Sequence, residues 1–364
     1  MDNMIDRRKV LKLLGAMLVA RKARAAPVGD SPQPTDACPW PMQLSTSSIH
    51  FMELPIEEAC ERIAELGFEA VDVWSAHEGC PHLDDVAARL GPEGLRALLE
   101  KHKLKLCAFS VYQGGYARYA DLLGKAGGGV AIQGSAGPCK PEELTGRMRQ
   151  LLESLKPLAD LAEKHDSYLA IENHGNALLD SLDSLKAFVD RNTSPRLGVA
   201  LAPYHLQASK ASVPEAIRIC GKQLLFFYAW QHGSDATQLP GVGPTDMTPW
   251  LEALADIRYR GYVNPFMHGH PGTEVMAANL ATARDYLREC ARSSTGILPV
   301  GLTGVPPVKT NYRQGQDGPA TGLPKREDRV LGTLHGQDAH ATEGGALTHV
   351  LQNRGARFRA TSAI

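Results

Sequence analysis

The sequence has no C-x-x-C pair, and its seven cysteines (Cys38, Cys60, Cys80, Cys107, Cys139, Cys220 and Cys290) are odd in number. That pattern argues against a zinc knuckle and against a dense disulfide framework. It also lacks a charge excess: Lys plus Arg is 39 against 40 for Asp plus Glu, a net charge of -1. No global positive field is present to hold a nucleic acid, so nucleic acid is not an expected partner. Nor does any uncharged apolar run reach the roughly 18 to 20 residues that a membrane-spanning helix needs. What remains is a chain of 364 residues, enough for one large domain or two ordinary ones.

The two ends read differently from the middle. Residues 1–26 begin with a basic stretch, continue through the apolar segment Leu13 to Ala20, and finish at the small-residue site Ala23-Arg24-Ala25. This is the layout of an export signal. The string Asp6-Arg7-Arg8-Lys9-Val10-Leu11-Lys12 resembles the twin-arginine signal, which implies folding in the cytoplasm followed by export to the periplasm. Residues 27–39 read as a linker. From Ser293 the composition turns to Gly, Pro, Thr and Gln, with Thr295-Gly296-Ile297-Leu298-Pro299-Val300 echoed in Thr303-Gly304-Val305-Pro306-Pro307-Val308. Such a segment buries too little apolar surface to offset its ordering entropy, so residues 293–364 are predicted to be a low-complexity, disordered tail.

Residues 40–292 alternate strand-like and helix-like patterns. Short, mostly unalternating apolar runs occur at Met42 to His50, Ala70 to Trp74, Leu104 to Val111, Gly129 to Gln133, Tyr168 to Glu172, Leu197 to Leu201, Leu224 to Trp230 and Tyr262 to Met267. Strands covered on both faces read this way. Between them lie amphipathic stretches, the longest running from Glu142 to His165, where Pro157 predicts a kink or a break. Eight such alternations in about 250 residues predict an α/β fold, a (β/α)8 TIM barrel. A doubly wound sheet would need a glycine-rich phosphate turn after the first strand, and Phe51-Met52-Glu53-Leu54-Pro55 stands there instead.

In such a barrel, chemistry belongs at the carboxyl ends of the strands. Those positions are polar: His50; Asp72, Trp74, His77 and Glu78; Glu172, Asn173 and His174; Tyr204 and His205; Trp230 and His232; Asn264, His268 and His270. Seven of the 13 histidines therefore fall at one rim. Each has an ordinary alternative, since a loop histidine is often just solvated, Asp72 or Glu78 could cap a helix, and aromatics can simply pack. Convergence carries more weight than any one of them. Glu172 is the sharpest case, because a carboxylate following the buried run Tyr168-Leu169-Ala170-Ile171 is costly unless paired or bound to a cation.

Four stretches carry a family likeness: Glu65 to Trp74, Ala170-Ile171-Glu172-Asn173-His174, Leu197 to His205, and Arg260-Gly261-Tyr262. Together they resemble the xylose isomerase-like TIM barrels, which include sugar phosphate isomerases and epimerases, ketose 3-epimerases and inosose-processing enzymes. The resemblance implies a divalent metal ion (Mn, Mg, Co or Zn) held by a Glu on strand five, an Asp on strand six, a His near strand seven and a Glu on strand eight. Glu172 matches the first, but Ala202 and Asn264 stand at the second and fourth positions. The implied metal set becomes Glu172, His205, His232 and His268, with Glu172 and His205 catalytic. His50, Trp74, His77, Asn173, His174, Tyr204, Trp230 and Asn264 are the implied substrate contacts. The implied activity is proton transfer next to a carbonyl of a carbohydrate, with a non-catalytic sugar binder as the alternative. The expected partner is a small carbohydrate, with no membrane insertion after signal removal; assembly into a homo-oligomer stays open.

Overall fold

The structure, a computed structural model, describes residues 40–294 and 297–299. The expected signal (1–26), the expected linker (27–39) and nearly all of the expected tail (293–364) lie outside the described residues. Eight strands form one parallel sheet in sequence order: β1 (Ser45–Ser47), β2 (Ala70–Trp74), β3 (Lys105–Ser110), β4 (Val130–Gly134), β5 (Tyr168–Glu172), β6 (Leu197–Leu201), β7 (Leu224–Ala229) and β8 (Val263–Pro265). A parallel bridge from Leu44 to Val263, with the Val263 N–H donating to the Gln43 carbonyl at 2.9 Å, brings the last strand back to the first. The expected (β/α)8 barrel is therefore what the chain forms.

The helices that follow the strands are α1 (Ile56–Glu65), α2 (Gly91–Lys101), α3 (Tyr116–Lys125), α4 (Leu144–Lys164), α5 (Leu182–Arg191), α6 (Val213–Cys220), α7 (Thr248–Asp256) and α8 (Thr273–Ser293). Their starts follow from local chemistry: the Ser181 hydroxyl accepts the Ser184 N–H and the Ser212 hydroxyl accepts the Glu215 N–H, each at 3.3 Å. In α4 the residues Met148, Leu155, Ala159 and Ala162 recur at helical spacing and are buried. Burying such a stripe is what holds a helix on the sheet. Pro157 does not divide α4, which stays one element across it. Glu153, whose carbonyl loses its partner there, faces solvent.

Two strands are shorter than the apolar runs predict. Trp40–Met42 forms a separate strand paired in parallel with Ile297–Pro299, and after Ser47 the chain turns into a 3-10 helix, Ser48–Phe51. The turn has a local cause, since the Ser48 hydroxyl accepts the Trp74 N–H at 3.1 Å and so replaces a ladder bond. β8 ends at Pro265, which has no N–H to continue a ladder.

Two apolar clusters fill the molecule, one between sheet and helices and one inside the barrel. The inner cluster is asymmetric. Ala70, Ala108, Ala170, Ala200 and Ala202 contribute methyl groups from β2 to β6, whereas Phe226, Tyr228 and Trp230 project from β7 and its end. Residues two apart on a strand share a face, so the same alternation that points Ala170 inward points Glu172 inward. Among the described residues, six cysteines are free thiols and no helix is long and apolar enough to cross a membrane.

Candidate active site

Two carboxyls lie inside the barrel. Asp72 is fully buried and accepts from Ser47 Oγ (2.9 Å), Trp74 Nε1 (2.5 Å) and Ser110 Oγ (3.0 and 2.9 Å to its two oxygens). Burial raises its pKa to about 6, and the three donors oppose that rise. Asp72 therefore caps no helix. Glu172, at the end of β5, is raised further, to about 8, by burial and by the Asp72 charge, with the Tyr112 hydroxyl opposing. Between the two carboxyls runs a chain of hydroxyls: Ser110 Oγ lies 3.3 Å from the Tyr228 hydroxyl, which lies 3.2 Å from that of Tyr112.

Glu172 opens into a cavity of about 260 Å³ lined by Trp74, His77, Tyr112, Ser135, His205 and Trp230, among others. His205 comes from the short helix Pro203–Ala208 after β6. Burial, then the neighbouring His174, His268 and His232, push its imidazole down to about 3, so it is neutral at physiological pH. Its Nε2 is buried without a hydrogen-bond partner, and its ring centre is 4.0 Å from that of His174. Aromatic pairs wall the space: Tyr204 stacks on Trp230 at 4.4 Å and Trp74 stacks on Phe266 at 5.2 Å. A larger groove of about 560 Å³ lies between Met52, Glu57 and Arg89. Its charges satisfy one another, Arg89 bonding both Glu57 and Asp85, so it offers no comparable set of open groups.

The other residues singled out in the sequence divide into two groups. Trp74, His77, His174, Trp230 and His268 line the cavity with Glu172 and His205, and Tyr204 packs on Trp230 and His205. Three others are bound up in the scaffold. His50 is buried with Nδ1 3.0 Å from Thr46 Oγ1 and with Nε2 accepting the Met267 N–H at 3.3 Å. Asn173 clamps β5 to β6, donating to the Ala202 carbonyl (3.1 Å) and accepting the Ala202 N–H (2.6 Å). Asn264 clamps β8 to β1, donating to Ser45 Oγ (3.0 Å) and accepting from Ser47 Oγ (3.3 Å). His232 is exposed, with its N–H bonded to Gln207.

The metal position that the family likeness implies at Glu172 does not fit these residues. Ala202 offers a methyl group, and both polar atoms of Asn264 are committed to serines. Among the described residues, Glu172, His205, His232 and His268 do not gather one ligand atom each within 4.8 Å; the set that does is His77, Glu78 and His268. Glu78, which the sequence places at the rim with helix capping as its ordinary alternative, is the member of that set that the sequence does not single out. Its Oε1 lies 3.0 Å from His268 Nδ1 and 3.9 Å from His77 Nε2, and its Oε2 lies 3.1 Å from His270 Nε2. Asp72, Ser110 and Tyr228 also went unassigned. The signal for them was present, since each is two residues from another inward-facing residue on its strand.

A closed parallel barrel with titratable groups and a cavity at the carboxyl ends of its strands defines the class, a TIM barrel with an enzyme-like mouth. Residues 60–290 match the family described as "Xylose isomerase-like TIM barrel", and the chain belongs to that family. No curated protein matches the sequence. Among solved structures, the chain is similar to 3-keto-D-glucoside 4-epimerase from E. coli in its apo form. Identity is 16%, covering 67% of this chain and 99% of that one, with a TM-score of 0.53. It is also similar to D-psicose 3-epimerase with D-tagatose from Clostridium cellulolyticum H10, at 19% identity over 68% of this chain and 99% of that one, TM-score 0.54. A third is the IolI protein with a bound zinc atom, at 15% identity over 69% and 99%, TM-score 0.54. At these identities the likeness shows the shared fold.

Proposed function

We propose that this protein is a sugar isomerase or epimerase-like enzyme that moves a proton on and off a carbon next to a carbonyl, with Glu172 as the acid/base and His205 as its neutral partner. The observation that carries the reading is that both face one cavity with the ordinary order of their pKa values inverted, Glu172 raised to about 8 and His205 lowered to about 3. Environments that push two groups apart in this way are how one site assigns acid/base roles. A carboxylate that holds its proton this tightly is a stronger base than an ordinary one, yet still ionises near neutral pH. The unpartnered His205 Nε2, as the N–H tautomer, suits the carbonyl oxygen on which charge collects as the C–H bond breaks. The electrons return to carbon when Glu172 delivers the proton to the neighbouring carbon of the enediol while the hydroxyl proton passes to the former carbonyl oxygen, so this one-base isomerisation needs no oxidant. The stacked pairs Tyr204–Trp230 and Trp74–Phe266 offer flat apolar faces to a sugar ring.

The twin-arginine-like start supports export, which favours a non-phosphorylated sugar or a glycoside-derived compound as substrate. Finding the native chain uncleaved in the cytosol would overturn that part. The activity is tested by incubating full-length protein with a panel of keto sugars in deuterium oxide. Solvent deuterium should enter at the carbon beside the carbonyl, and Glu172→Gln should abolish the exchange. Sugar binding without exchange would make the protein a binder and end the catalytic reading.

A further inference from the structure

We propose that His77, Glu78 and His268 form a divalent-cation site at the barrel rim, between the turns that follow β2 and β8 and apart from the strand-five position that the family likeness implies. The three donors come from two turns on opposite sides of β1, and their ligand atoms lie within 4.8 Å of one another. From Glu78 Oε1 the nitrogen to oxygen separations are 3.0 Å to His268 and 3.9 Å to His77, while His270 Nε2 is hydrogen-bonded to the other oxygen at 3.1 Å and steadies the carboxylate. Ligand atoms of a tetrahedral site with bonds of about 2.0–2.1 Å stand roughly 3.3 Å apart, and these separations bracket that spacing.

The geometry at His268 separates this arrangement from ordinary hydrogen bonding. Its Nδ1 is 3.0 Å from Glu78 Oε1, yet this buried nitrogen makes no hydrogen bond. The pair is as close as two ligands of one ion, but its angle is not that of a well-formed hydrogen bond. The backbone is shaped to bring these groups together. Glu78 itself has φ 52, a left-handed conformation unusual for a residue with a side chain, and Gly79 follows at φ 85. Between the two histidines Gly269 has φ 103, which lets His268 and His270 both reach Glu78 from one turn.

The donor set selects the ion. Two imidazoles and one carboxylate suit Zn, Co or Ni better than Mg or Ca, which prefer oxygen. His77 and His268 also line the Glu172 cavity, so the cation would be held at its wall. The site does not depend on the activity proposed for Glu172, and binding can be read without any substrate.

Full-length protein is stripped of metal and titrated with Co(II), followed by visible absorption, and with Zn(II), followed by calorimetry. The expected result is a tight site filled at about one ion per chain, with d–d bands of tetrahedral intensity. Glu78→Gln and His268→Gln should each weaken it at least about tenfold, while Glu172→Gln leaves it unchanged. Histidines elsewhere in the chain are common to all variants and cancel in the comparison. Glu78 is at the surface, so thermal melting of Glu78→Gln without metal should match the parent and exclude misfolding. Loss of the site in Glu172→Gln but not in Glu78→Gln, or no tight site in the parent, overturns the proposal.

Discussion

The hydroxyls of Tyr112 and Tyr228 lie 3.2 Å apart, and this contact joins two acidic centres of the barrel. Tyr228 also reaches Ser110 (3.3 Å), whose hydroxyl bonds Asp72, while Tyr112 stands beside Glu172. Burial raises both tyrosines well above their ordinary values, so they stay protonated and serve only as hydroxyl donors and acceptors. The two carboxyls thus repel each other through a dry, hydrogen-bonded interior where charges are weakly screened.

Asp72→Asn should therefore make Glu172 a stronger acid, moving its titration below about 8 toward the ordinary carboxyl range. The measurement is an infrared pH titration of the protonated carboxyl band, with Glu172→Gln identifying which band is which. An unchanged Glu172 titration would show that the two groups do not interact.

Glu172 also shapes stability against pH. Folded, it takes its proton at about 8; unfolded, at about 4.5. The folded chain therefore binds more protons across that window, and stability falls as pH rises through it, by up to about 1.4 kcal/mol per pH unit. His50 and His205 act in the opposite sense. They are neutral in the fold down to about 3 against an ordinary 6.5, so stability climbs between those values. Asp72, at about 6 in the fold against an ordinary 3.8, acts with Glu172, so melting temperature should rise from pH 3, level off between about 4.5 and 6 where two groups oppose two, and decline from about pH 6.5 to 8. In Glu172→Gln the alkaline decline should largely vanish.

The barrel was legible because its strands carry a strong signal: Ala70–Trp74, Tyr168–Glu172 and Leu197–Leu201 are apolar apart from Asp72 and Glu172 and are bounded by helical stretches. Glu172 was legible for the same reason, as the one carboxylate closing such a run. Less legible were residues whose role depends on which hydrogen bonds they make. Asn173 and Asn264 look like substrate donors in the sequence, but their partners, Ala202 and the pair Ser45 and Ser47, are distant in the chain. Glu78 was obscured in another way, since its closest partners are 190 and 192 residues away and its role depends on a left-handed backbone that no residue type advertises.

The aromatic wall separates binding from folding. Trp230 is buried, donates to Gln238 Oε1 at 2.8 Å and packs edge-on against His205 and Phe266. Trp230→Ala should cost about 3–5 kcal/mol in chemical denaturation, as large aromatic deletions from cores do. Tyr204 is only half-buried and stacks on the same ring. Tyr204→Ala should cost distinctly less stability and show itself mainly as weaker sugar binding by calorimetry. Equal stability losses would assign both rings to packing.

Asn264 tests whether a polar rim residue serves the scaffold or the substrate. Both ends of its amide are engaged, with Ser45 at 3.0 Å and Ser47 at 3.3 Å, and the residue is fully buried. Replacing it by alanine leaves a buried serine acceptor unmet and opens the junction between β8 and β1, so Asn264→Ala should lose about 1–3 kcal/mol. His232→Ala, at an exposed position, should stay within about 0.5 kcal/mol of the parent. Denaturant titration of the two variants beside sugar-binding isotherms decides the matter. An Asn264→Ala protein of unchanged stability that no longer binds sugar would return this residue to the substrate side, whereas lost stability with binding retained fixes it as the clamp that closes the barrel.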